Sequence, residues 1–312
     1  MVWLALVSVY VIWGSTYLAI AYLVQSVPPF LGGGVRFLIA GLFLAAWIAA
    51  RDRSALRVDR RQLVGTAFVG VLLLAGGNGL IIAAERTVPS GVAALVVASV
   101  PLWLVLMRVG TGGRVRTDVV AGVLVGILGV GVLVIPSGVS GALDPAGLLT
   151  LIAATLLWAF GTFLSPRLRM PRNALASTAL QMLAAGAVLL VIAAPLGEYA
   201  RFTLATVSTS SLLALGYLIV FGSLIGFSAY TWLLQHAPVS LVATYAYVNP
   251  VVAVVLGALM LQEPITPTMI GGAALILAAV AFIVSRSATR ATPTAARAPL
   301  GPTASPVPSA RD

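Results

Sequence analysis

A charged residue stands inside an apolar stretch near the start of the chain. Arg36 lies about seven residues into that stretch, roughly 10 Å along a helix axis at 1.5 Å per residue. In a bilayer, a charge at that depth costs a few kcal/mol unless it is paired or faces water. Arg36 either faces a cavity and attracts a carboxylate of a bound molecule, or is structural and snorkels to the outer headgroups or pairs with Glu85.

Glu85 is the second informative residue, because it ends an apolar stretch. A partly desolvated glutamate can titrate near neutral pH, so Glu85 is a candidate for proton coupling. The alternative is an interfacial or structural charge, and the same alternative applies to Glu263. No acidic residue lies in the middle third of an apolar stretch, so a deeply buried proton relay is not predicted.

Aromatic, hydroxyl and amide side chains within the apolar stretches are candidates for lining a substrate pathway. With Arg36, they are Trp13, Ser15, Thr16, Tyr17, Asn78, Trp158, Gln181, Tyr245, Tyr247 and Asn249. Tryptophan usually sits at the membrane interface, so its mid-stretch position favours a lining role for Trp13, with helix packing as the alternative. Pro101 and Pro250 each remove a backbone donor and are candidate hinges, or else static bends.

Other kinds of chemistry lack the residues they need. The chain has no cysteine, one histidine and eight acidic residues, which are scattered. These numbers argue against a catalytic cluster, a metal site or a bound cofactor, and so against an integral membrane enzyme. No phosphate-binding Walker A pattern is present, so ATP is not expected to be the direct fuel.

Composition identifies the solvent that surrounds these residues. Hydrophobic residues make up 60% of the 312-residue chain and charged residues only 8%, against about 25% in a soluble domain. Most of the chain must therefore face lipid. The net charge of +10 comes from arginines clustered between apolar stretches, a pattern of membrane topology and not of nucleic-acid binding.

Ten apolar stretches are long enough to span a bilayer. They run approximately over residues 2–24, 29–50, 62–84, 89–109, 118–136, 146–166, 173–195, 210–235, 239–261 and 266–285. With both termini in the cytoplasm, 15 of the 18 arginines fall on the inner side, with only Arg86 and Arg201 outside and Arg36 within a helix. This asymmetry predicts an all-α protein of ten transmembrane helices.

The second half of the chain repeats the first. At an offset of 145, Trp13 aligns with Trp158 and Arg36 with Gln181, and at an offset of 149, Pro101 aligns with Pro250. Five spans in each half give the halves opposite orientations, an inverted repeat typical of secondary transporters and also known in channels and scramblases. A pore should show a polar ring, and none is visible. The predicted units are residues 1–137 and 146–286, followed by a disordered cytoplasmic tail over 287–312.

Several motifs resemble the EamA family of the drug/metabolite transporter superfamily, and within it the YedA-like inner-membrane transporters. They are WGSTYL at 13–18, GVRFLIAG at 34–41, GNG at 77–79, AERTVPSGVAALVVASVPL at 84–102 and TYAYVNPVVAVVLG at 244–257. The usual LGE after the ninth helix is LQE here, at Leu261 to Glu263, a change expected to affect a helix end only.

The resemblance covers about residues 2–285 and implies two inverted five-helix repeats in the bacterial cytoplasmic membrane. It implies export of amino acids or related amphipathic metabolites, with a small molecule and lipid as partners and protons as a candidate coupling ion. It specifies neither the substrate nor an oligomeric state.

Overall fold

The computed structural model describes residues 1–113, 117–134, 144–237, 239–242 and 244–288, and these residues contain ten membrane helices and no strand. The helices are α1 (Val2–Leu23), α2 (Pro29–Arg51), α3 (Arg60–Ala84), α4 (Ser90–Gly110), α5 (Thr117–Val134), α6 (Pro145–Leu164), α7 (Ala174–Ala193), α8 (Thr209–Tyr217, Leu218–Ile225 and Gly226–His236), α9 (Val239–Val242 and Tyr245–Met260) and α10 (Pro267–Ala288). Each predicted span coincides with one helix, which confirms the fold class. Residues 289–312 of the predicted tail lie outside the described residues.

Helix starts follow from local sequence. Asp59 and Gln62 form a reciprocal capping box at the start of α3, which satisfies two backbone donors. Asp144 accepts bonds from Ala146 N and Gly147 N at the start of α6. The Thr87 hydroxyl and these backbone groups lower the pKa of Asp144, so the cap stays ionised at neutral pH.

Three even-numbered helices end in a cation–aromatic pair, either in the last turn of the helix or in the turn that follows it. In each pair an arginine guanidinium lies over the aromatic ring of the residue four positions earlier. The guanidinium-to-ring distances are 4.0 Å for Arg51 and Trp47, 3.8 Å for Arg167 and Phe163, and 5.2 Å for Arg286 and Phe282. At the end of α8, His236 stacks on Trp232 with ring centroids 4.2 Å apart. Because successive helices run antiparallel, all four ends lie on one membrane surface, where such amphipathic pairs are favoured.

Two helices change to π-helical hydrogen bonding in mid-membrane. The π segments are Val71–Asn78 in α3 and Leu218–Ile225 in α8. They occupy matching places in the two halves, between the two offsets of the sequence repeat. Such wide turns redirect side chains and are frequent at functional sites. The glycines next to Asn78 predict a loosened helix in α3, whereas α8 has no such glycine cluster.

The packing of helices follows an approximate two-fold relation between the halves. The second helix of each half packs against its counterpart, α2 on α7, and so does the fifth, α5 on α10. The first π segment packs against α6 and α7, and the second packs against α1 and α2. Each irregular segment therefore lies against the first two helices of the opposite half.

The contact between α2 and α7 depends on glycines. A Cβ atom on Gly186 would lie 2.7 Å from the backbone nitrogen of Leu38, and one on Gly41 would lie 3.0 Å from that of Leu183. The two backbones can approach this closely only because both positions lack a side chain. Gly41 and Gly186 also align in the sequence repeat, as expected for equivalent positions at a two-fold contact.

Two carboxylates join the halves at the opposite membrane surface from the cation–aromatic pairs. Glu198 accepts bonds from Phe30 N and Leu31 N at 3.3 and 2.7 Å, at the start of α2. Glu263 accepts bonds from Ser90 N and Gly91 N at 2.7 and 3.1 Å, at the start of α4.

Both helices begin after a proline, Pro28 or Pro89, which cannot supply a side-chain cap. A carboxylate at a helix N-terminus is stabilised by the free N–H groups and the helix dipole. The second half therefore caps two helices of the first, and the sequence gives no sign that Glu198 would do so.

The backbone conformation of Gln262 explains why the usual LGE motif has glycine at this position, before Glu263. Its φ is +55°, in the left-handed region, and it is the only non-glycine residue with positive φ among the described residues. The residue after a helix C-cap commonly adopts this conformation and is then usually glycine. The turn at Gln262 directs Glu263 back to the start of α4. Glutamine in place of the glycine of LGE therefore affects a helix end and strains the backbone there.

We expect Gly186→Ala to destabilise the protein by about 1–3 kcal/mol, because the added methyl group forces α2 and α7 apart. Thermal unfolding in detergent measures the effect. Gly216→Ala is the matched control, because a Cβ there meets nothing within 4 Å. Equal stability of the two variants would show that α2 and α7 can separate without cost.

We expect Gln262→Gly to stabilise the protein by about 0.5–1 kcal/mol, because glycine removes the cost of the left-handed conformation. The same unfolding measurement applies. Gln262→Ala also removes the side chain but keeps the strain, so it should not stabilise. A gain in the alanine variant as large as in the glycine variant would assign the effect to the glutamine side chain.

Candidate functional site

Arg36 lies inside the helix bundle and is 2% exposed. Its Nε donates to Ser223 Oγ at 3.1 Å, and its guanidinium lies 4.7 Å from the ring centre of Phe37. Its Nη1 is buried and has no hydrogen-bond partner among the described residues. A Cβ on Gly222 would lie 3.2 Å from Nη2, so the second π segment provides both the space for the guanidinium and the hydroxyl that orients it.

Glu85 follows α3 and is 7% exposed, and neither carboxylate oxygen has a hydrogen-bond partner in the part of the chain that the structure describes. Arg36 and Glu263 are its charged neighbours within electrostatic range, but Arg36 forms no ion pair with it among the described residues. Arg36 is therefore enclosed by the helices and is not paired with Glu85. The helix bundle thus encloses a basic and an acidic side chain within electrostatic range of each other, and each has an unpaired polar atom among the described residues.

Trp13 is the centre of an aromatic cluster. Its indole contacts the rings of Phe227, Tyr230 and Tyr245 with centroids 5.2, 5.0 and 5.3 Å away. Its Nε1 donates to the carbonyl oxygen of Gly222 at 3.3 Å, again in the second π segment. The carbonyl next to Ser223 thus holds Trp13, while Ser223 itself holds Arg36.

The other candidates on α1 differ in their contacts. Ser15 Oγ lies 2.6 Å from the Tyr217 hydroxyl, and Thr16 Oγ1 donates to the carbonyl of Trp13 at 2.6 Å. Tyr17 packs against the main hydrophobic core and lies within electrostatic range of Glu85. Ser15 and Tyr17 therefore connect α1 to other helices, whereas the hydroxyl of Thr16 bonds within its own helix.

The equivalent residues of the second half surround the first π segment. A Cβ on Gly77 would lie 2.7 Å from the ring of Trp158, so Trp158 packs on that segment as Trp13 packs on the other. Gln181 packs against Gly70, just before the segment, and its Nε2 donates to Ser177 Oγ at 3.1 Å. Asn78 is the last residue of the segment. The helices of the two halves are two-fold related, but the equivalent of the charged Arg36 is the neutral Gln181.

The remaining candidates lie on α4 and α9. Asn249 is buried, with its amide facing the carbonyl oxygens of Tyr245 and Tyr10 at 3.2 and 3.3 Å. Tyr247 packs at the edge of the main core. Pro101 lies in the first turn after the break in α4, whereas Pro250 lies within the continuous segment Tyr245–Met260. The two prolines therefore occupy different local backbones.

Sequence reasoning missed four contributors to this site: Ser223, Tyr217, Tyr230 and Phe227. All belong to α8, whose sequence carries no glycine cluster like that around Asn78. The usable signal was the repeat itself, because it aligns α8 with α3. Among the described residues, no group of three or more histidine, cysteine, aspartate or glutamate side chains could hold a metal ion.

Comparison with known proteins identifies the family. The profile of the EamA-like transporter family matches residues 1–135 and 145–285. The inner membrane transporter YedA of Escherichia coli K12 is 41% identical over 254 residues, 81% of this chain and 80% of the relative.

More distant similarity extends over most of the chain. A Salmonella typhimurium protein named "Probable amino-acid metabolite efflux pump" is 26% identical over 277 residues, 86% of this chain and 90% of the relative. A solved crystal structure aligns at a TM-score of 0.62 with 26% identity, covering 92% of this chain and 97% of the other.

The two matched ranges each contain five of the ten helices, and their first helices carry Trp13 and Trp158 at equivalent places. The chain belongs to the EamA-like transporter family.

Proposed function

We propose that the protein is a secondary transporter that exports an amino acid or a related amphipathic compound by alternating access. One observation carries the proposal: Arg36 and Glu85 are buried ionisable groups, one basic and one acidic, and both have polar atoms without a hydrogen-bond partner among the described residues. An uncompensated buried charge costs several kcal/mol. A substrate carboxylate at Arg36 and a proton at Glu85 would each reduce that cost, and both are ligands that come and go.

The substrate class follows from the geometry around Arg36. Ser223 and Phe37 fix the guanidinium, and the free Nη1 can donate to a carboxylate in a charge-assisted hydrogen bond. The aromatic cluster around Trp13 offers an apolar surface for a side chain. An amphipathic amino acid fits both, and relatives named as amino-acid metabolite efflux pumps support this class.

The arrangement of the helices supports alternating access. The π segments of α3 and α8 occupy matching places, and each packs on the opposite half. Two conformations related by exchange of the halves can then have similar energies, as in other inverted repeats. In this proposal residues 1–137 and 146–286 are the moving units, and Pro101 and Pro250 are candidate hinges.

The orientation is part of the proposal. The membrane surface marked by the pairs at Arg51, Arg167 and Arg286 faces the cytoplasm, following the excess of arginine there. Glu85, Glu198 and Glu263 then lie toward the outside. Both termini are cytoplasmic, and the membrane is the bacterial inner membrane, as named for the relative YedA.

Arg36→Gln should reduce saturable counterflow of labelled amino acids in proteoliposomes by about 10- to 100-fold, because a charge-assisted bond to the substrate is lost. Ser223→Ala should mainly raise KM, because the guanidinium is retained but loses its orienting bond. Arg86→Gln, an exposed arginine after Glu85, is the matched control and should leave counterflow unchanged.

Normal insertion and thermal unfolding of the Arg36 variant, checked in parallel, separate a binding defect from misfolding. Unchanged kinetics would make Arg36 structural and remove the main support for the proposal. Equally fast flux without preloaded compound would indicate a channel or scramblase.

Glu85→Gln should abolish the response of export to an imposed pH gradient while counterflow persists, because exchange needs no net proton movement. Glu85→Asp keeps a titratable group and should keep part of the response. A pH response in the glutamine variant equal to that of the parent would exclude Glu85 as the coupling residue.

A further inference from the structure

A basic groove opens between the first turns of α3 and the chain that follows α6. It has a volume of about 570 Å³, and we call it the arginine groove. Its lining includes Arg60 and Arg61 from α3, Arg167 and Arg169 from the chain after α6, and Val64 and Phe68 further along α3. It lies at the membrane surface marked by the cation–aromatic pairs, far from Arg36 and Glu85 along the helices.

The groove carries an excess of positive charge. Among the described residues, none of its four guanidinium groups forms an ion pair with a carboxylate. Asp59, the acid next to Arg60, is engaged in the capping box with Gln62. Arg167 is held in place by the ring of Phe163 at 3.8 Å and by a bond to the Phe163 carbonyl oxygen.

The groove changes from basic to apolar along α3. Val64 and Phe68 follow Arg60 by one and two helical turns, roughly 6 and 12 Å toward the membrane centre. They are 60% and 46% exposed, so they present apolar surface to the bilayer. A molecule filling the groove would meet guanidinium groups at the headgroup level and hydrocarbon below it.

Close packing holds the two walls together. A Cβ on Gly65 would lie 2.8 Å from the carbonyl oxygen of Arg169, so the chain after α6 lies directly on the α3 backbone. Thr66 Oγ1 donates to the sulfur of Met170 at 3.7 Å. Backbone contact between the two halves therefore brings the arginines together. A general excess of arginine on the inner side of the membrane does not require such a cluster.

We propose that the arginine groove binds the phosphate-bearing headgroup of an anionic phospholipid, with an acyl chain along Val64 and Phe68. Basic pockets between helices at the headgroup level suit such lipids, and each arginine in contact with the headgroup adds about fivefold to the binding constant. A soluble phosphate would use the arginines alone and would leave the apolar part of the groove empty. The apolar floor therefore favours the lipid.

Native mass spectrometry of the full chain, titrated with phosphatidylglycerol or phosphatidylcholine, tests the proposal. Phosphatidylglycerol should bind more tightly to the parent protein, and Arg61→Gln/Arg169→Gln should weaken that binding by about 25-fold. Arg57→Gln/Arg172→Gln is the matched control, because it removes two exposed charges from neighbouring loops outside the groove. It should leave phosphatidylglycerol binding unchanged.

Three results would overturn the proposal: equal binding of the two lipids, an equal loss in the control variant, or full displacement of phosphatidylglycerol by glycerol phosphate. The last would identify a site for soluble phosphate. Arg61→Lys/Arg169→Lys keeps both charges and should keep most of the binding. A loss as large as in the glutamine variant would instead assign the effect to disturbed structure.

Discussion

A peptide group in hydrocarbon has no water to bond, and this constraint governs the rest of the structure. It confines the chain to helices and allows irregular backbone only where protein covers it. The π segments and the two parts of α4 pack against helices of the opposite half. Irregularity is thus concentrated where the two halves meet, which is also where the buried polar side chains lie.

The second π segment shows how the backbone positions the site. Gly222 leaves room for Arg36 and directs its carbonyl to Trp13, while Ser223 bonds the Arg36 Nε. Three helices, α1, α2 and α8, are thereby coupled through two consecutive residues. A rearrangement of the α8 backbone would move the aromatic cluster and the guanidinium together, which fits a site that alternates between two states.

The sequence predicts what depends on hydropathy and charge, namely the ten helices and the surface where arginines gather. It also singles out Arg36 and Glu85, because charges in apolar stretches are costly. It does not predict Ser223 as the partner of Arg36, Glu198 as the cap of α2, or the π turn in α8. Each of these depends on contact between halves, and periodicity within one helix carries no information about that contact.

The frame of the protein is two-fold related, but its charges are not. Arg36 has only Gln181 as its counterpart, and Glu198 and Glu263 both belong to the second half and cap helices of the first. In the proposed alternating access, the halves must separate at the membrane surface where Glu198 and Glu263 lie. This opening either breaks the carboxylate bonds or moves each carboxylate together with the helix that it caps. Glu263 is also a charged neighbour of Glu85, so a proton on Glu85 would remove repulsion within this carboxylate pair. In the proposed mechanism, protonation of Glu85 would therefore be linked to the contact at Glu263 that holds the halves together.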